Sequence, residues 1–221
     1  MTSKERIGHL QKTIGTVADG IIGKNTLKAF SKYYNKSITE TIHFFSQIHH
    51  ESGGFTIGRE NMNYSASRIM EIFGVGKHSA KVTSDQAKIL AGHPYKLAER
   101  VYGILNPKKA KELGNTKAGD GWLYRGGGAL QITGKSAYKQ YGGNELVENP
   151  DLIEDSTYYF TTALAEFDQR GIWKYAKDFT DDSLVKVSKF VNVGNPNTTV
   201  TPNGLQDRRN KFNYYKKMMG V

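Results

Sequence analysis

Residues 37–55, SITETIHFFSQIHHESGGF, hold the clearest helix signal in the chain. The first four letters form a capping box, in which a serine and a glutamate satisfy each other's backbone amides at a helix start. Apolar residues then recur at helical spacing, and Gly53 and Gly54 provide the left-handed backbone at which a helix ends. The stretch therefore predicts a helix that runs to about Ser52 and buries one face, and it points to a helical fold.

Similar signals mark most of the remaining chain. Capping residues, a first-turn proline and terminal glycines delimit five further helices. We predict them over residues 84–92, 94–102, 156–169, 183–192 and 204–219. Residues 119–134 are rich in glycine and predict tight turns with a short extended piece or hairpin, and residues 193–204 predict a loop. The predicted fold class is therefore mainly α, with a short β element.

The composition fits one globular domain of ordinary size. Apolar residues make up 38% of the 221, which is enough for a real core. There is no cysteine, so disulfides and thiolate metal sites are excluded. The first residues are polar, and no stretch approaches the roughly 20 apolar residues of a membrane span. We therefore expect a chain that is made in a cytoplasm and does not insert into a membrane.

The charge balance predicts anionic partners. Lysine and arginine number 31 against 21 acidic residues, which gives a net charge of +10. Such a surplus attracts polyanions over a long range, and nucleic acid, acidic membrane surfaces and bacterial wall polymers all qualify. The basic residues are scattered and form no basic arm, which argues against nucleic-acid binding. A basic surface that serves only solubility is the other interpretation.

Glu51 and Glu60 are the candidate chemical groups. Glu51 falls in the last turn of the predicted helix, where the negative end of the helix dipole disfavours an ionised carboxylate. Nearby apolar residues act in the same direction, so this carboxyl is expected to hold its proton near neutrality, as a general acid must. Glu60 follows the Gly-Gly turn, which lets the chain fold back toward the helix end. Two carboxylates about 6.5–9.5 Å apart across a cleft leave room for a water and invert the anomeric centre of a sugar.

Four blocks of residues form an ordered pattern along the chain. The first is HESGGF followed by Glu60 and NYSA, in residues 50–66, and the second is AERVYG, in residues 98–103. The third is the glycine-rich residues 119–134, and the fourth is VN-x-GN with GL-x-DR, in residues 191–208. The pattern resembles glycoside hydrolase family 19, the chitinase-type group that includes many phage endolysins. Four blocks in the family's order form a specific signal. The resemblance implies a lysozyme-like helical domain (mainly α, α+β) with its short β element beside a catalytic cleft.

The resemblance also implies a role for each matching residue. Glu51 matches the general acid, Glu60 matches the base that activates water, and Thr133 matches the hydroxyl that holds this water. The other matches are substrate-contacting or site-ordering positions, namely Tyr64, Gln131, Asn192, Arg208, Tyr124 and Arg125. We also expect Arg208 to keep Glu60 ionised by proximity.

Two positions depart from the family pattern. Gly127 stands where the usual Tyr-Arg-Gly-Arg-Gly block has its second arginine, so a cationic wall of the groove is expected to be missing. Ala137 stands where plant chitinases have an asparagine that contacts the sugar. These departures leave the reaction type intact and weaken the case for chitin. The histidines show no metal-ligand spacing, so neither a metal nor another cofactor is expected.

The first 36 residues differ in character from the rest. Residues 19–30, DGIIGKNTLKAF, predict a turn followed by a helix that opens near Thr26. The pattern resembles the helical peptidoglycan-binding repeat of many wall hydrolases, whose hallmark is Asp-Gly-x-x-Gly-x-x-Thr before a helix. We therefore predict a short peptidoglycan-binding-like segment over residues 1–36 and a catalytic glycoside hydrolase domain over residues 37–221. The alternative is that the first segment simply packs on the main domain.

The leading hypothesis is a phage endolysin that hydrolyses the β-1,4 bonds of peptidoglycan between N-acetylmuramic acid and N-acetylglucosamine. It accounts for the four blocks, the N-terminal pattern, the positive charge and the lack of cysteine. Its partners are then peptidoglycan glycan strands, and we expect a monomer. We expect the protein to be stored in the cytoplasm of a bacterial host and to reach the wall through a separate, holin-like pore.

Three alternatives stay open. A chitinase would apply the same chemistry to another polymer. A lytic transglycosylase is suggested by GALQ at residues 128–131, which is faintly similar to that group's Gly-Leu-Met-Gln, but such enzymes need no second carboxylate and Glu60 argues against them. A non-catalytic wall-binding or virion structural protein is disfavoured because Glu51, Glu60 and Thr133 are present together.

Overall fold

The computed structural model describes all 221 residues, and nearly all of its regular secondary structure is helical. The α-helices are α1 (Ser3–Thr13), α2 (Lys24–Tyr33), α3 (Ile38–Glu51), α4 (Ala66–Phe73), α5 (Ser84–Leu90), α6 (Pro94–Tyr102), α7 (Pro107–Leu113), α8 (Asp120–Leu123), α9 (Lys135–Glu148), α10 (Ser156–Arg170), α11 (Asp181–Val193) and α12 (Leu205–Met219). Two 3-10 helices span Pro150–Glu154 and Ile172–Tyr175. The predicted mainly α fold is confirmed, and its β element is reduced to isolated bridges such as those from Gly127 to Arg59 and Ile132.

The chain divides into two compact units. Unit 1 comprises Met1–Gly58, Gly128–Leu130 and Glu154–Val221, and unit 2 comprises Arg59–Gly127 and Gln131–Ile153. Residues 1–36, which the sequence predicts as a separate binding segment, lie within unit 1. The binding of this segment to a cell wall stays a prediction. None of the helices is both long enough and apolar enough to cross a membrane.

The helix α3 forms as its sequence predicts. The backbone amide of Ser37 donates to the Glu40 carboxylate at 2.8 Å, and the amide of Glu40 donates to the Ser37 hydroxyl at 3.1 Å. These two bonds satisfy amides that a helix start leaves without partners. The helix ends at Glu51, and Gly53 and Gly54 follow with φ angles of 56° and 75°. The predicted cap and the predicted stop are both confirmed.

Aromatic packing holds α3 among its neighbours in unit 1. Phe44 and Phe45 are fully buried, and the ring centroid of Phe30 on α2 lies 5.3 and 4.8 Å from theirs. Phe167 on α10 lies 5.1 Å from Phe44, and Tyr215 on α12 lies 6.0 Å from Phe45. Burial of each such ring stabilises the fold by roughly 1.5–3 kcal/mol. The packing sets α12 alongside α3, and so brings the end of α3 next to the start of α12.

The helices α1 and α2 contribute to this same core, where Leu10 and Leu27 are buried. The side-chain amide of Gln11 on α1 donates to the Thr26 hydroxyl on α2 at 2.9 Å, which ties the two helices together. The helix α2 begins at Lys24, two residues before its predicted start. The helix α1 is absent from the prediction, although a capping box marks its first turn.

The three other predicted helices of unit 1 are present. The helix α10 is capped by Asp155 and ends before Gly171, as predicted. The helix α11 begins at Asp181, two residues earlier than predicted, because the Thr180 hydroxyl caps it by accepting from the Ser183 amide at 3.2 Å. The helix α12 begins at Leu205, one residue after its predicted start, and ends at the predicted Met219. The predicted loop before it covers residues 194–204, because α11 includes Val193.

Unit 2 has a core of its own around α4, α5 and α6. The buried residues there include Ile69, Phe73, Val82, Leu97 and Val101. The helix α5 starts at the predicted capping box, and α6 covers the predicted residues 94–102 with its proline in the first turn. The helix α6 therefore has one side in a core, which fixes the directions of its remaining side chains.

The sequence predicts tight turns and a short extended piece for the glycine-rich residues 119–134. The structure differs, because these residues also contain the single helical turn α8. The buried carboxylate of Glu99 on α6 accepts from the backbone amides of Gly119 and Trp122, each at 3.0 Å. This acceptor supplies the free amides of a helix start with a partner. A Cβ on Gly121 would lie 2.6 Å from the Gly103 nitrogen, so glycine at this position allows α8 to approach the end of α6.

Candidate active site

Glu51 is the last residue of α3, and 22% of its side chain is exposed. The guanidinium of Arg208 on α12 is fully buried and forms an ion pair with Glu51. The same guanidinium donates to the Gln47 side-chain oxygen at 2.5 Å and to the Asn203 carbonyl at 3.1 Å. A buried guanidinium needs acceptors for its donors, and these three residues of unit 1 supply them.

Two expectations about Glu51 and Arg208 are corrected by this arrangement. The sequence predicts an apolar setting for Glu51, but the nearby Phe44, Phe45 and Ile48 are fully buried in the core, and the partner of the carboxyl is charged. Arg208 was expected to act on Glu60. Its ion-pair partner is Glu51 instead, because α12 packs along α3 and its first turn meets the last turn of α3.

A second polar contact joins the same two helices. The Nδ1 atom of His50 lies 2.6 Å from the Asp207 carboxylate, which also accepts from the Lys211 ammonium at 2.6 Å. Burial by itself would raise the pKa of Asp207, but the hydrogen bonds from His50 and Lys211 hold it below its ordinary value. His50 and Asp207 therefore fix the end of α3 on α12 next to Glu51.

Asn192 belongs to the network that holds Arg208. Its side-chain oxygen accepts from the Asn203 backbone amide at 2.9 Å, and the Asn203 carbonyl accepts from Arg208. The loop between α11 and α12 is thereby closed onto the residue that pairs with Glu51. Within unit 1 the structure brings together three of the predicted site residues: Glu51, Asn192 and Arg208.

Glu166 on α10 is a further carboxyl of unit 1 that the sequence analysis missed. It is buried and forms an ion pair with Arg170. Burial raises the pKa of Glu166, Arg170 partly offsets this, and the charge of Glu51 raises it further. Its signal in the sequence is a Glu-Arg pair four residues apart, which is common on exposed helix faces and does not by itself predict a buried carboxyl.

Glu60 lies in unit 2 and is partly buried. The hydroxyl of Tyr102, at the end of α6, lies 3.0 Å from one of its carboxylate oxygens and 3.2 Å from the other. Burial raises the pKa of Glu60 above the ordinary value of 4.5, while hydrogen bonds to Tyr102 and the Gly126 backbone and the charge of Arg125 oppose this. A base with a raised pKa accepts a proton from water more readily than an ordinary carboxylate does.

Tyr102 is the functional candidate that the sequence reading passed over. Burial raises its pKa well above the ordinary value, and the charge of Glu60 adds to the effect. The hydroxyl therefore stays protonated and can donate to Glu60. In the sequence Tyr102 is only one letter of the matching block AERVYG. Its contact with Glu60, 42 residues away in the chain, depends on how α6 packs.

Arg125 supports Glu60 from the glycine-rich stretch. Its Nε donates to the Glu60 backbone carbonyl at 3.2 Å, and its guanidinium lies 3.6 Å from the ring centroid of Trp122. The Tyr138 hydroxyl donates to the Arg125 carbonyl at 2.7 Å. Stacking on the indole fixes the plane of the guanidinium. Arg125, predicted to contact substrate, is thus placed beside the predicted base.

Three other predicted site residues of unit 2 lie near Glu60 or contact a residue that does, namely Gln131, Thr133 and Tyr64. A Cβ on Gly126 would lie 3.4 Å from both the Gln131 side-chain oxygen and Glu60, so these two side chains meet at Gly126. The Thr133 hydroxyl donates to the Gln131 carbonyl at 3.1 Å. Burial raises the pKa of Tyr64, and the charge of Glu60 raises it further. Gln131 has a φ of 54°, and such backbone strain in a non-glycine residue is concentrated at functional sites.

Two positions have a different place from the one expected. Tyr124 was predicted to contact substrate, but it is buried and its hydroxyl donates to the Val147 carbonyl at 2.9 Å, so it belongs to the packing of unit 2. Gly127 was expected to leave a gap in a groove wall. A Cβ there would lie 2.7 Å from the Tyr138 hydroxyl and 2.9 Å from the Ile153 side chain. This position therefore has no room for a side chain and does not form a gap in a groove wall.

The histidines are engaged in packing. The Nε2 atom of His43 donates to the Asp178 carbonyl at 2.8 Å, and burial lowers the pKa of His43 to about 4. His49 lies 2.8 Å from the Tyr215 hydroxyl, and burial, with the charge of Lys211, lowers its pKa to about 4. No group of three or more potential metal-ligating side chains comes together in the structure.

The chain was compared with known proteins. No model of a protein family matches it. Among curated proteins it is similar to a protein of Haemophilus influenzae described as "Glycosyl hydrolase family 19 domain-containing protein". The two sequences are 34% identical over 158 residues, which cover 68% of this chain and 69% of the relative. Similarity at this level over most of both chains reflects a common origin.

Proposed function

Because the chain belongs to glycoside hydrolase family 19, we propose that it hydrolyses the β-1,4 bonds of peptidoglycan by an inverting, two-carboxylate mechanism. One observation carries the proposal: Glu51 and Glu60 each have a dedicated polar partner. Arg208 pairs with Glu51 in unit 1, and the Tyr102 hydroxyl contacts both oxygens of Glu60 in unit 2. The Arg208 side chain is buried and the Tyr102 side chain is partly buried, unlike the exposed partners of carboxylates that only decorate a surface.

Glu51 is the proposed general acid. Its side chain is partly exposed at the end of α3, where a glycosidic oxygen has access to it. When Glu51 gives its proton to the leaving oxygen, the carboxylate that remains is stabilised by the ion pair with Arg208. Arg208 therefore favours the product of the proton transfer, and we assign it a positioning and charge-stabilising role and no direct sugar contact.

Glu60 is the proposed base. It takes a proton from a water molecule, whose oxygen attacks the anomeric carbon as the bond to the leaving oxygen breaks. The Thr133 hydroxyl, next to Gln131 in unit 2, is the proposed holder of this water. The water supplies the hydroxyl of the new reducing end, and its proton rests on Glu60, so the step balances without a cofactor.

The choice of peptidoglycan rests on charge and on the family resemblance. A net charge of +10 favours an anionic wall polymer over the neutral chitin chain. The resemblance to phage endolysins and the N-terminal pattern at residues 19–30 support the same choice. We propose cleavage on the reducing side of N-acetylmuramic acid, by a monomer that reaches the wall from a host cytoplasm through a separate pore.

Digestion of two polymers tests this proposal. Purified peptidoglycan and chitin are treated separately with the protein, and the new chain ends are identified by mass spectrometry. We expect reducing N-acetylmuramic acid ends from peptidoglycan, and no products from a Glu51→Gln variant. Reducing glucosamine ends would indicate a glucosaminidase, anhydro ends would indicate a transglycosylase, and products from chitin alone would indicate a chitinase. Walls that stay intact would indicate a non-catalytic role.

A further inference from the structure

A pocket of about 380 Å³ lies on unit 2 along α6 and the turn that follows it. Leu90, Ile104, Leu105 and Tyr95 are the larger apolar residues that line it. The volume falls within the range of about 300–1,000 Å³ that is usual for small-ligand sites. No role in the proposed reaction involves any of these residues.

The apolar residues of this pocket are left open to solvent. Ile104 is 43% exposed and Leu105 is 60% exposed, and half of Tyr95 is accessible. A ligand that covers this apolar surface removes it from water, which favours binding. A cluster of accessible apolar side chains in a concave site is a typical feature of a binding surface.

Two of the residues that line the pocket carry a positive charge. Lys96 and Arg100 both line it, and neither forms an ion pair. Arg100 is oriented by a bond of 2.9 Å from its guanidinium to the Leu105 carbonyl. Glu99, the one acidic residue that lines the pocket, is buried and accepts from the Gly119 and Trp122 amides. The pocket therefore suits a ligand with small apolar groups and at least one anionic group.

A series of contacts leads from this pocket to Glu60. The rings of Tyr95 and Trp122 have centroids 6.2 Å apart, Arg125 stacks on Trp122, and Arg125 donates to the Glu60 carbonyl. Tyr102, which contacts the Glu60 carboxylate, follows Tyr95 by seven residues on the same face of α6. Two helical turns separate these two positions by about 10 Å.

We propose that this pocket binds the stem peptide of peptidoglycan and so distinguishes it from chitin, an inference that rests on the proposed function. The stem peptide carries alanine methyl groups and several carboxylates, which match a mostly apolar lining that includes Lys96 and Arg100. An extended peptide advances about 3.3–3.6 Å per residue, so three residues span about the same length as the two helical turns between Tyr102 and Tyr95. Chitin carries neither a peptide nor a carboxylate.

Two substrates that differ only in the peptide test the inference. Glycan strands from peptidoglycan are used as isolated and after an amidase has removed the stem peptides. We expect the wild-type protein to cleave the peptide-bearing strands with a higher kcat/KM. For the Lys96→Gln/Arg100→Gln double variant, kcat/KM is expected to fall about tenfold on the peptide-bearing strands and to stay unchanged on the bare strands. The reason is that this variant loses only its charge-assisted bonds to the peptide. A Leu105→Ser variant should lose activity on the same substrate.

The control is a Lys108→Gln/Lys111→Gln variant of α7, which removes two exposed charges that do not line the pocket. This control variant should prefer peptide-bearing strands over bare strands as strongly as the wild type does. The inference is overturned if the wild type cleaves both kinds of strand with the same kcat/KM. It is also overturned if the Lys96→Gln/Arg100→Gln variant loses the same factor in kcat/KM on both kinds of strand.

Direct binding separates this inference from the proposed function. The free stem tetrapeptide is titrated into the full chain by calorimetry. Binding that the Lys96→Gln/Arg100→Gln variant abolishes supports the pocket even if no glycosidic bond is cleaved. If the wild type hydrolyses peptidoglycan but binds no tetrapeptide and shows no preference, the proposed function stands and the pocket inference fails.

Discussion

The hydroxyl of Tyr102 lies 3.0 and 3.2 Å from the two carboxylate oxygens of Glu60. One donor shared between both oxygens fixes the plane of the carboxylate and stabilises its ionised form. Burial has the opposite effect on the same group. Burial therefore raises the pKa of the proposed base, while the hydrogen bond from Tyr102 lowers it. Both effects depend on the packing of α6 in unit 2.

A Tyr102→Phe variant keeps the ring and removes the hydroxyl. We expect kcat/KM to fall by about tenfold near pH 6, because Glu60 loses a bond that favours its ionised form. The pKa of Glu60 should rise further, so the acidic limb of the pH profile should move to higher pH. A Tyr33→Phe variant, at an exposed position of α2, is the control. A Tyr102→Phe profile that coincides with that of the wild type would contradict the assigned role.

The pH dependence of the wild type follows from the raised pKa of Glu60. A base works only when it is ionised, so activity should be lost as the pH falls through this pKa. The midpoint of the acidic limb of kcat/KM should therefore lie above 4.5, the ordinary value for glutamate. A measurement of kcat/KM between about pH 3.5 and 8 checks this. A midpoint at or below 4.5 would mean that Glu60 is not the group that limits the rate in acid.

Arg208 and Glu51 should differ in what their replacement does to stability. An Arg208→Ala variant should lower the free energy of unfolding by roughly 3 kcal/mol, because it leaves Gln47 and Asn203 without their donor and opens a buried space. A Glu51→Gln variant should lose only about 1 kcal/mol, because its amide oxygen still accepts from the guanidinium. Both should lose activity. Urea unfolding of the two variants measures the difference, and equal losses would argue against this ion-pair geometry.

His43 and His49 should make the fold sensitive to acid. Burial lowers the pKa of both to about 4, below the value of 6.5 in an unfolded chain. Between these two pH values the unfolded chain binds protons that the folded chain does not. Stability should therefore decrease as the pH falls from about 6.5 to about 4, with a slope of about 1.4 kcal/mol per pH unit for each histidine.

A His43→Gln variant tests the acid effect at the more deeply buried position. The free energy of unfolding is measured at several pH values by chemical denaturation. The variant should show a shallower slope than the wild type between pH 4 and 6.5, whatever its stability at neutral pH. A slope that does not change would mean that His43 is protonated in the folded protein.

The helices were predictable where their signals are local. The capping box at Ser37, the first-turn proline at Pro94 and the cap at Asp155 all act within one turn, and the helices that they start are where the sequence predicts them. The helix α8 was not predictable in this way. Its start depends on the carboxylate of Glu99, which comes from another helix about 20 residues earlier and is placed by the packing of α6.

The candidate site shows the same limit. Glu51, Glu60 and Thr133 could be singled out because their neighbours in the chain match a known pattern. Their partners could not, because Arg208 reaches Glu51 across 157 residues and Tyr102 reaches Glu60 across 42. The expected pairing of Arg208 with Glu60 was wrong for this reason, since only the packing of α12 along α3 decides which carboxylate this guanidinium meets.

The anomeric configuration of the first product tests the central claim most directly. A soluble peptidoglycan strand is cleaved in an NMR tube, and the signal of the new reducing end is followed before mutarotation mixes the anomers. An acid at Glu51 and a water-activating base at Glu60 predict the α-anomer first, since water attacks the face opposite to the β-linkage. A first product in the β form, or an anhydro end without a reducing signal, would contradict the two-carboxylate account.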